Sequence, residues 1–492
     1  MNIAFFTNYI HTPHFETELE LIQVRLDQGD TVYHFVCDIH LLSCDYNSTG
    51  DLLKCMACKS KRTKGQELLT NTANYHEVKI SKFQYKELNT KPKLHFNSIK
   101  ELRELKMEQF EIGDAALSSM VSIVRDPNPD LIVNKELLSS IILSADYCYH
   151  YFQSQLQAYK IDTFYNFNGR FATNRAALRA AQKIGVPTLM HERGSNLNTY
   201  ELFDNVLPHE IIPFTNRVSK SWNSQPDEEQ RNRIAHDFYK NRASGKEQGW
   251  ISFTKDQKKG LLPDGWDETV DNIVIFNSSE DEYVSIGKDW DMGFFESQNA
   301  LILRLMDDSR LSDKKIWVRL HPNMRGMAKE YLEKTYATLQ GSIELIMPDS
   351  LINSYDLIHA ASKVLTFGST VGVEATYWAK PSILLGPSFY KFFEVTYNPN
   401  EYEELIALLL NKDLKPLPQE NTLPYGFHIN NFGYPFKIYK PKSLFEGTFK
   451  GVDLTKTFNF IEWKAQASTK KFRWLYAILN KLNHTLRLRK YV

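Results

Sequence analysis

The sequence lacks several features that would place it in a specialised class. It has no excess of one charge, with 59 Lys and Arg against 59 Asp and Glu, whereas a nucleic-acid-binding chain normally carries a basic excess. No apolar run approaches the roughly 20 residues of a membrane span, and no secretory leader is visible at the N-terminus. These absences predict a protein that binds no nucleic acid and is cytoplasmic, or lies at the inner face of the cytoplasmic membrane.

Cysteine is also scarce, with five in 492 residues. In a cytosolic chain, so few cysteines indicate metal ligands or plain thiols rather than disulfides. Four of them cluster in the sequence, and the last two form a Cys-x-x-Cys pair: Cys37, Cys44, Cys55 and Cys58. Four thiolates suit a closed zinc site, or less often an iron–sulfur cluster, and unrelated thiols are the alternative. The sequence therefore predicts a structural zinc, and no cofactor is expected for catalysis.

What is present is typical of a large α/β protein. The composition is 42% hydrophobic and 24% charged, and 492 residues exceed one ordinary core. Strands and helices alternate in two successive series. The predicted strands lie at 2–7, 31–37, 161–167 and 186–190, and then at 272–276, 316–320, 363–367 and 382–385. Alternation of this kind predicts an α/β fold with two Rossmann-like domains.

The domain boundaries follow from these two series. Residues 1–220 are predicted to form the N-terminal domain, with a small Cys-rich insertion at 38–66. The polar stretch 221–268 is predicted to be a linker, and 269–455 the C-terminal domain. Residues 456–492 are predicted to end the chain as a basic amphipathic helix.

One strand end in the second series has the composition of an anion site. The predicted strand 363–367 leads to Gly368, Ser369 and Thr370, and Glu374 lies in the first turns of the helix that follows. Free backbone N–H groups at a helix start, together with two hydroxyls, favour a phosphate. We expect this turn to bind a donor phosphate and Glu374 to hold a ribose hydroxyl. An ordinary helix cap is the alternative.

Two neighbouring strand ends carry further polar side chains. The carboxyl ends of parallel strands meet at one edge of a sheet, where ligands bind in open α/β folds. The predicted nucleotide-binding residues at these ends are Arg319, His321 and Asn323 after one strand, and Ser278 and Ser279 after the other. A helix cap is the alternative for the serines.

Three residues of the N-terminal domain are candidates for a general base. His14 and Glu16 follow the first strand, and Glu192 lies just beyond the strand 186–190. A transferase that inverts the anomeric configuration of its sugar needs one base to take the acceptor's proton. The sequence leaves open which of the three it is.

The C-terminal motifs resemble those of the capsule polysaccharide biosynthesis family, which includes transferases of CMP-activated acidic sugars such as Kdo. The similarity covers about 270–410 and rests on Arg-x-His-Pro at 319–322, Ser-Thr-x-Gly-x-Glu-Ala at 369–375 and Lys-Pro at 380–381. The same motifs resemble those of bacterial sialyltransferases more loosely. The resemblance implies a GT-B architecture, with two Rossmann-like domains facing a cleft. It also implies that His321, Ser369 and Thr370 hold the CMP part of the donor.

The expected function is therefore transfer of a sugar from a nucleotide-activated donor, with a CMP-linked acidic sugar favoured. The acceptor would be a glycan or lipid-linked glycan of a capsule, O-antigen or other surface polysaccharide, bound by the N-terminal domain. The run 161–194 is similar to sugar-nucleotide 2-epimerases, so an epimerase-like enzyme is one alternative. A non-catalytic scaffold of a polysaccharide assembly complex is another.

The C-terminal tail is strongly basic. From Lys464 onward it holds eight Lys and Arg and no Asp or Glu. Apolar residues recur at helical spacing on one face: Leu475, Ile478, Leu479, Leu482 and Leu486. This pattern predicts either a helix that lies on an anionic membrane or one that packs back onto the body.

Overall fold

The computed structural model describes residues 1–82, 92–246, 254, 256–283, 285–326, 344–456 and 473–488. The chain divides into two compact units. Unit 1 is Met1–His209 with Gly433–Val492, and unit 2 is Glu210–Phe432. Each unit is built on a mainly parallel sheet with helical connections, so the predicted α/β class with two Rossmann-like domains is confirmed.

Unit 1 is organised around a sheet in the order β12-β6-β5-β4-β1-β2-β3. The seven strands of this sheet are β1 Asn2–Thr7, β2 Thr31–Val36, β3 Tyr75–Lys79, β4 Thr163–Phe167, β5 Thr188–Arg193, β6 Thr199–Asp204 and β12 Tyr434–Pro435. Two further strands, β13 Tyr439–Pro441 and β14 Gly447–Phe449, pair with each other in a separate sheet. Its helices are α1 His14–Asp27, α2 Leu52–Glu67, α3 Ile99–Arg103, α4 Ile112–Val124, α5 Lys135–Ala158, α6 Ala172–Lys183 and α14 Arg473–Leu488. The central strands are apolar and buried, as parallel strands covered on both faces must be.

The cysteine-rich segment is not an insertion in this sheet. β2 pairs with β3 in parallel, so the chain between them must cross over, and α2 provides that crossover. The helix begins after Asp51, whose side chain accepts the N–H of Lys54 at 3.0 Å. The expected insertion at 38–66 is therefore a regular βαβ connection with a long loop before its helix.

Unit 2 is organised around a sheet in the order β11-β10-β7-β8-β9. Its strands are β7 Asp271–Phe276, β8 Lys314–Arg319, β9 Glu344–Ile346, β10 Lys363–Thr366 and β11 Ser382–Leu384. Its helices are α7 Ile211–Ser224, α8 Glu228–Ala243, α9 Gln298–Asp307, α10 Ser354–Ala360, α11 Val371–Tyr377, α12 Tyr402–Leu410 and α13 Leu423–Asn431. All neighbouring pairs in this order are parallel.

The predicted domain boundaries are wrong at two places. Part of the expected linker 221–268 is helix α8, which is packed inside unit 2: the ring of Tyr239 stacks on that of Tyr377 at 3.9 Å. Residues 433–455 belong to unit 1, where the N–H of Tyr439 donates to the buried carboxylate of Glu20 at 2.8 Å. Polar composition misled the prediction because the buried contacts of α8 come from a few aromatic residues.

The predicted basic tail is described in part. Residues 473–488 form helix α14, whereas 457–472, 489–492 and the side chain of Leu475 lie outside the described residues. Among the described helices, none is both long and apolar enough to cross a membrane.

Candidate functional site

Three strand ends of unit 2 meet at one edge of the sheet. The register pairs Phe276 of β7 with Thr366 of β10 on one side and with Arg319 of β8 on the other. Asn277 ties two of these ends together, because its Oδ1 accepts the N–H of His321 at 2.6 Å. The polar residues after β7, β8 and β10 are therefore brought together, as the parallel topology predicted.

The turn after β10 requires a glycine. Gly368 has φ +139°, and a Cβ there would lie 2.5 Å from the carbonyl oxygen of Pro387. Thr366 Oγ1 accepts the N–H of Ser369 at 3.0 Å, and the Ser369 hydroxyl accepts the N–H of Val371 at 3.3 Å. The turn is thus fixed by its own hydroxyls. A glycine is therefore needed here both for the positive φ and for the close approach of the Pro387 carbonyl.

Ser278 lies beside this turn. Its Oγ would be 3.9 Å from a Cβ at Gly368. Its backbone N–H donates to Gln298 Oε1 at 2.9 Å. The Oγ is buried, and within the described part of the chain it has no hydrogen-bond partner. A buried hydroxyl without a partner costs about 1–3 kcal/mol, so this atom is suited to contact a ligand.

His321 supplies a neutral imidazole at the same edge. Burial lowers its pKa to about 4; the nearby Asp281 opposes this shift, and Arg242 and Arg319 add to it. The Nδ1 accepts the N–H of Asn323 at 3.2 Å, so in the neutral ring Nε2 carries the proton. His321 is therefore a hydrogen-bond donor at neutral pH without being charged.

A buried ion pair holds the helix that follows the turn. Glu374 is 1% exposed; its Oε1 accepts Arg242 Nε at 2.9 Å, and its Oε2 accepts the hydroxyl of Tyr355. Arg242 also donates to Thr370 Oγ1 at 3.0 Å. Both oxygens of Glu374 are engaged inside the protein, and its ribose-binding role stays a prediction. Arg242, in the supposed linker, was not predicted at all.

Three other predicted binding residues are engaged by the protein itself. Arg319 is 2% exposed and donates to the carbonyls of Met347 and Ser350 at 3.3 and 3.2 Å. Ser279 donates to Asp281, and Asn323 donates to Glu282. These contacts shape the loops after β7, β8 and β9, so the three residues support the edge. Of the predicted binding residues, His321, Ser278 and the turn Gly368–Thr370 stay predictions.

Unit 1 brings two of its three predicted base residues together. His14 Nδ1 lies 3.4 Å from Glu192 Oε1. Glu192 is held in turn by Asn168 Nδ2 at 2.6 Å and by the backbone N–H of Arg193 at 2.9 Å. Burial holds the pKa of His14 well below its usual 6.5, with Arg193 adding to the effect. The ring is therefore neutral at physiological pH.

Glu16, in the first turn of α1, is paired inside the protein. It is 2% exposed, its carboxylate pairs with Lys61 of α2 at 2.8 Å, and one oxygen accepts the hydroxyl of Thr12 at 3.0 Å. Removing one partner of such a buried pair would leave the other charge without compensation. The role of Glu16 as the base stays a prediction, and its surroundings favour it less than they favour His14 and Glu192.

A further buried carboxylate in α1 was missed. Glu18 lies 3.4 Å from His34 Nε2 and 3.8 Å from His191 Nε2, and it also accepts the hydroxyl of Thr7. Burial alone would raise the pKa of Glu18, but the two neighbouring histidine rings lower it to about 2. No local sequence signal marks this contact, since its members lie on β1, β2, β5 and α1.

The four clustered cysteines are free thiols. Burial raises the pKa of Cys44 and of Cys58, the latter to about 12, and the neighbouring cysteines add to both shifts. Cys55 Sγ is contacted by Asn47 Nδ2 at 3.1 Å and by Arg487 at 3.4 Å. Among the described residues, no group of three or more His, Cys, Asp or Glu is arranged to hold a metal ion. Structural zinc therefore stays a prediction.

Part of unit 2 matches a known family model. Residues 270–412 match the model described as capsule polysaccharide biosynthesis protein. The predicted family resemblance is confirmed over this segment. No curated protein matches the chain.

Solved structures are similar at low identity. A KpsC β-Kdo 2,4 transferase of Thermosulfurimonas dismutans has 16% identity and a TM-score of 0.32, over 54% of this chain and 87% of that one. UDP-GlcNAc 2-epimerase of Methanocaldococcus jannaschii has 14% identity and a TM-score of 0.28, over 87% and 97%. MurG of Acinetobacter baumannii has 10% identity and a TM-score of 0.27, over 87% and 95%.

Replacing Arg242 by Met is expected to destabilise unit 2 by about 3–5 kcal/mol, because the buried Glu374 carboxylate would lose its cationic partner. Urea unfolding of the full chain measures the change. The matched control is Arg310→Met, which removes an exposed pair with Asp308 and Glu403 and should have a much smaller effect. Equal effects of the two variants would contradict the assigned role of Arg242.

The Glu18 carboxylate makes unit 1 sensitive to acid. Its pKa is about 2 in the folded chain against an ordinary 4.5, so its contribution is present above pH 4.5 and is lost as the pH falls towards 2. Glu18→Gln should lower stability at neutral pH and flatten the loss of stability across this window. Denaturant unfolding at several pH values tests this, with the exposed Glu136→Gln as control. An unchanged pH slope in Glu18→Gln would contradict the assignment.

Proposed function

We propose that this chain is a glycosyltransferase that takes a sugar from a nucleotide-activated donor and adds it to a capsule or related surface polysaccharide. The observation that carries the proposal is the edge of the unit 2 sheet. There His321, Ser278 and the turn Gly368–Thr370 converge within the segment that matches the capsule polysaccharide family. All three supply neutral donors or bare backbone, which suits a phosphate or nucleotide.

Each group has a defined part in holding the donor. Gly368 gives the chain the backbone conformation that the turn needs, which places Ser369 and Thr370 at this edge of the sheet. The hydroxyl of Thr370 accepts from Arg242, so its own proton is available to a phosphate oxygen, as is that of Ser278. His321 donates through Nε2. These hydrogen bonds stabilise the negative charge that develops on the leaving nucleotide.

His14 is the proposed base, with Glu192 as the group that orients it. The neutral ring accepts the proton of the acceptor hydroxyl, and the adjacent carboxylate stabilises the imidazolium that forms. The acceptor oxygen forms the new bond to the sugar as the bond to the nucleotide breaks, and the electron pair leaves with the nucleotide phosphate. Nδ1 faces Glu192, so Nε2 is the proposed proton acceptor.

The favoured donor is a CMP-linked acidic sugar, and the favoured acceptor a glycan or lipid-linked glycan at the cytoplasmic face of the membrane. Support for the donor comes from the His-Pro and Ser-Thr motifs at 321–322 and 369–370, which resemble those of transferases that use CMP-activated sugars. Both motifs lie at the strand ends that form the edge of the unit 2 sheet. We propose the acceptor on the same family grounds.

Thermal unfolding of the full chain with CMP, UDP, GDP or dTDP tests the donor site. A nucleotide that binds only the folded chain raises the melting temperature, and CMP is expected to give the largest rise. Ser278→Ala and His321→Ala should each abolish the rise while leaving the melting temperature of the free chain close to wild type. The matched control is His359→Ala, an exposed histidine of α10 near the opposite ends of the strands, which should respond like wild type.

The other outcomes discriminate the alternatives. A rise with UDP or GDP instead of CMP would replace the favoured donor. Turnover of a sugar nucleotide to a free sugar product without acceptor would favour the epimerase-like enzyme. A chain that no nucleotide stabilises, and in which His321→Ala changes nothing, would favour the scaffold and overturn the proposal.

A further inference from the structure

Helix α14 is attached to unit 1 by its polar side. Arg487 is 3% exposed and donates to the carbonyl of Leu41 at 2.9 Å and to Cys55 Sγ at 3.4 Å. Asn480, two turns earlier, accepts the N–H of Leu52 at 3.0 Å. These two residues are seven apart, so they lie on one face of the helix. That face contacts the loop before α2 and the start of α2.

The apolar side of the same helix is exposed. Its members recur mostly at intervals of four, and each is between 43% and 63% exposed: Trp474, Ile478, Leu479, Leu482 and Leu486. At 100° per residue this stripe lies on the opposite side of the helix from Asn480 and Arg487. We call these five residues the outward stripe.

This arrangement reverses the usual one. A surface helix normally buries its apolar stripe against the core and shows its polar face to water. In α14 the polar face makes the contact and the stripe is left outside. Exposing an apolar stripe of this kind to water is unfavourable, so it indicates an interaction surface.

The charge of the tail selects the class of partner. No Asp or Glu occurs from Trp463 to the C-terminus, and eight Lys and Arg do. The exposed Lys481 lies two turns after Trp474 and flanks the outward stripe on the same side of the helix. A second copy of the same helix would bring like charges together, whereas anionic lipid headgroups would neutralise them.

We infer that α14 is a docking helix for an anionic lipid surface. It lies in the plane of the bilayer interface, with the outward stripe inserted among the acyl chains and Lys481 extended to the headgroups. The contacts of Arg487 and Asn480 hold unit 1 against the membrane through the loop before α2. This inference goes beyond the proposed function and does not depend on the donor or on catalysis.

Vesicle co-sedimentation of the full chain without nucleotide tests the inference. We expect binding to vesicles of phosphatidylglycerol and phosphatidylethanolamine, weaker binding at high salt, and little binding to pure phosphatidylcholine. The double variant Ile478→Ser/Leu482→Ser should bind at least about tenfold more weakly, because two partly inserted side chains would lose their apolar area. Its melting temperature should match wild type, since both side chains are already exposed.

A matched control replaces apolar residues of similar exposure on unit 2. Leu351→Ser/Phe392→Ser should bind the anionic vesicles like wild type. The inference would be overturned if the wild-type protein did not bind anionic vesicles, or if the stripe variant bound them as well as the wild type does. A third outcome would assign the stripe to a second copy of the chain instead. In that case the wild-type protein sediments as a dimer, the stripe variant sediments as a monomer, and neither binds vesicles.

Discussion

The ion pair between Arg242 and Glu374 is the constraint on which the candidate donor site depends. A single guanidinium reaches both the carboxylate inside α11 and the hydroxyl of Thr370 in the turn before it. The turn, the helix and α8 are therefore fixed relative to one another by one side chain. A buried carboxylate is stable only when it is paired and fully hydrogen-bonded, and the hydroxyl of Tyr355 completes the set.

The rest of the edge is fixed by similar internal bonds. Asn277 joins the ends of β7 and β8, Arg319 holds the loop after β9, and Thr366 shapes the turn at Gly368. Most polar side chains at the edge are thus used to position the backbone. These bonds hold the backbone of the edge rigidly, and rigid placement is what a binding site on this edge would need.

The strands and their ends could be predicted because buried parallel strands are continuous apolar runs. Each of the eight strands proposed from the sequence is present, and β1 spans the residues expected for it. The short β9, the antiparallel β6 and the edge strand β3 were missed, because they carry no such run. The same reasoning found His321, Ser278 and the Gly368 turn, since polar residues after buried strands gather at one edge.

What could not be predicted depends on contacts between distant parts of the chain. Arg242 lies 132 residues from Glu374, and Glu20 receives backbone donors from residues more than 400 positions away. Its polar composition led to the prediction of α8 as a linker. Local composition also made Glu16 and Glu192 equal candidates for the base. Long-range pairing of buried charges decides these cases, and one sequence does not display it.

The central claim is that a nucleotide binds at the ends of β7, β8 and β10. Hydrogen–deuterium exchange of the full chain, with and without the nucleotide that stabilises it, tests this most directly. We predict slower exchange at 277–282, 321–323 and 368–372 when the nucleotide is present, with unit 1 strands unchanged. Protection confined to other segments, with these three unaffected, would contradict the account.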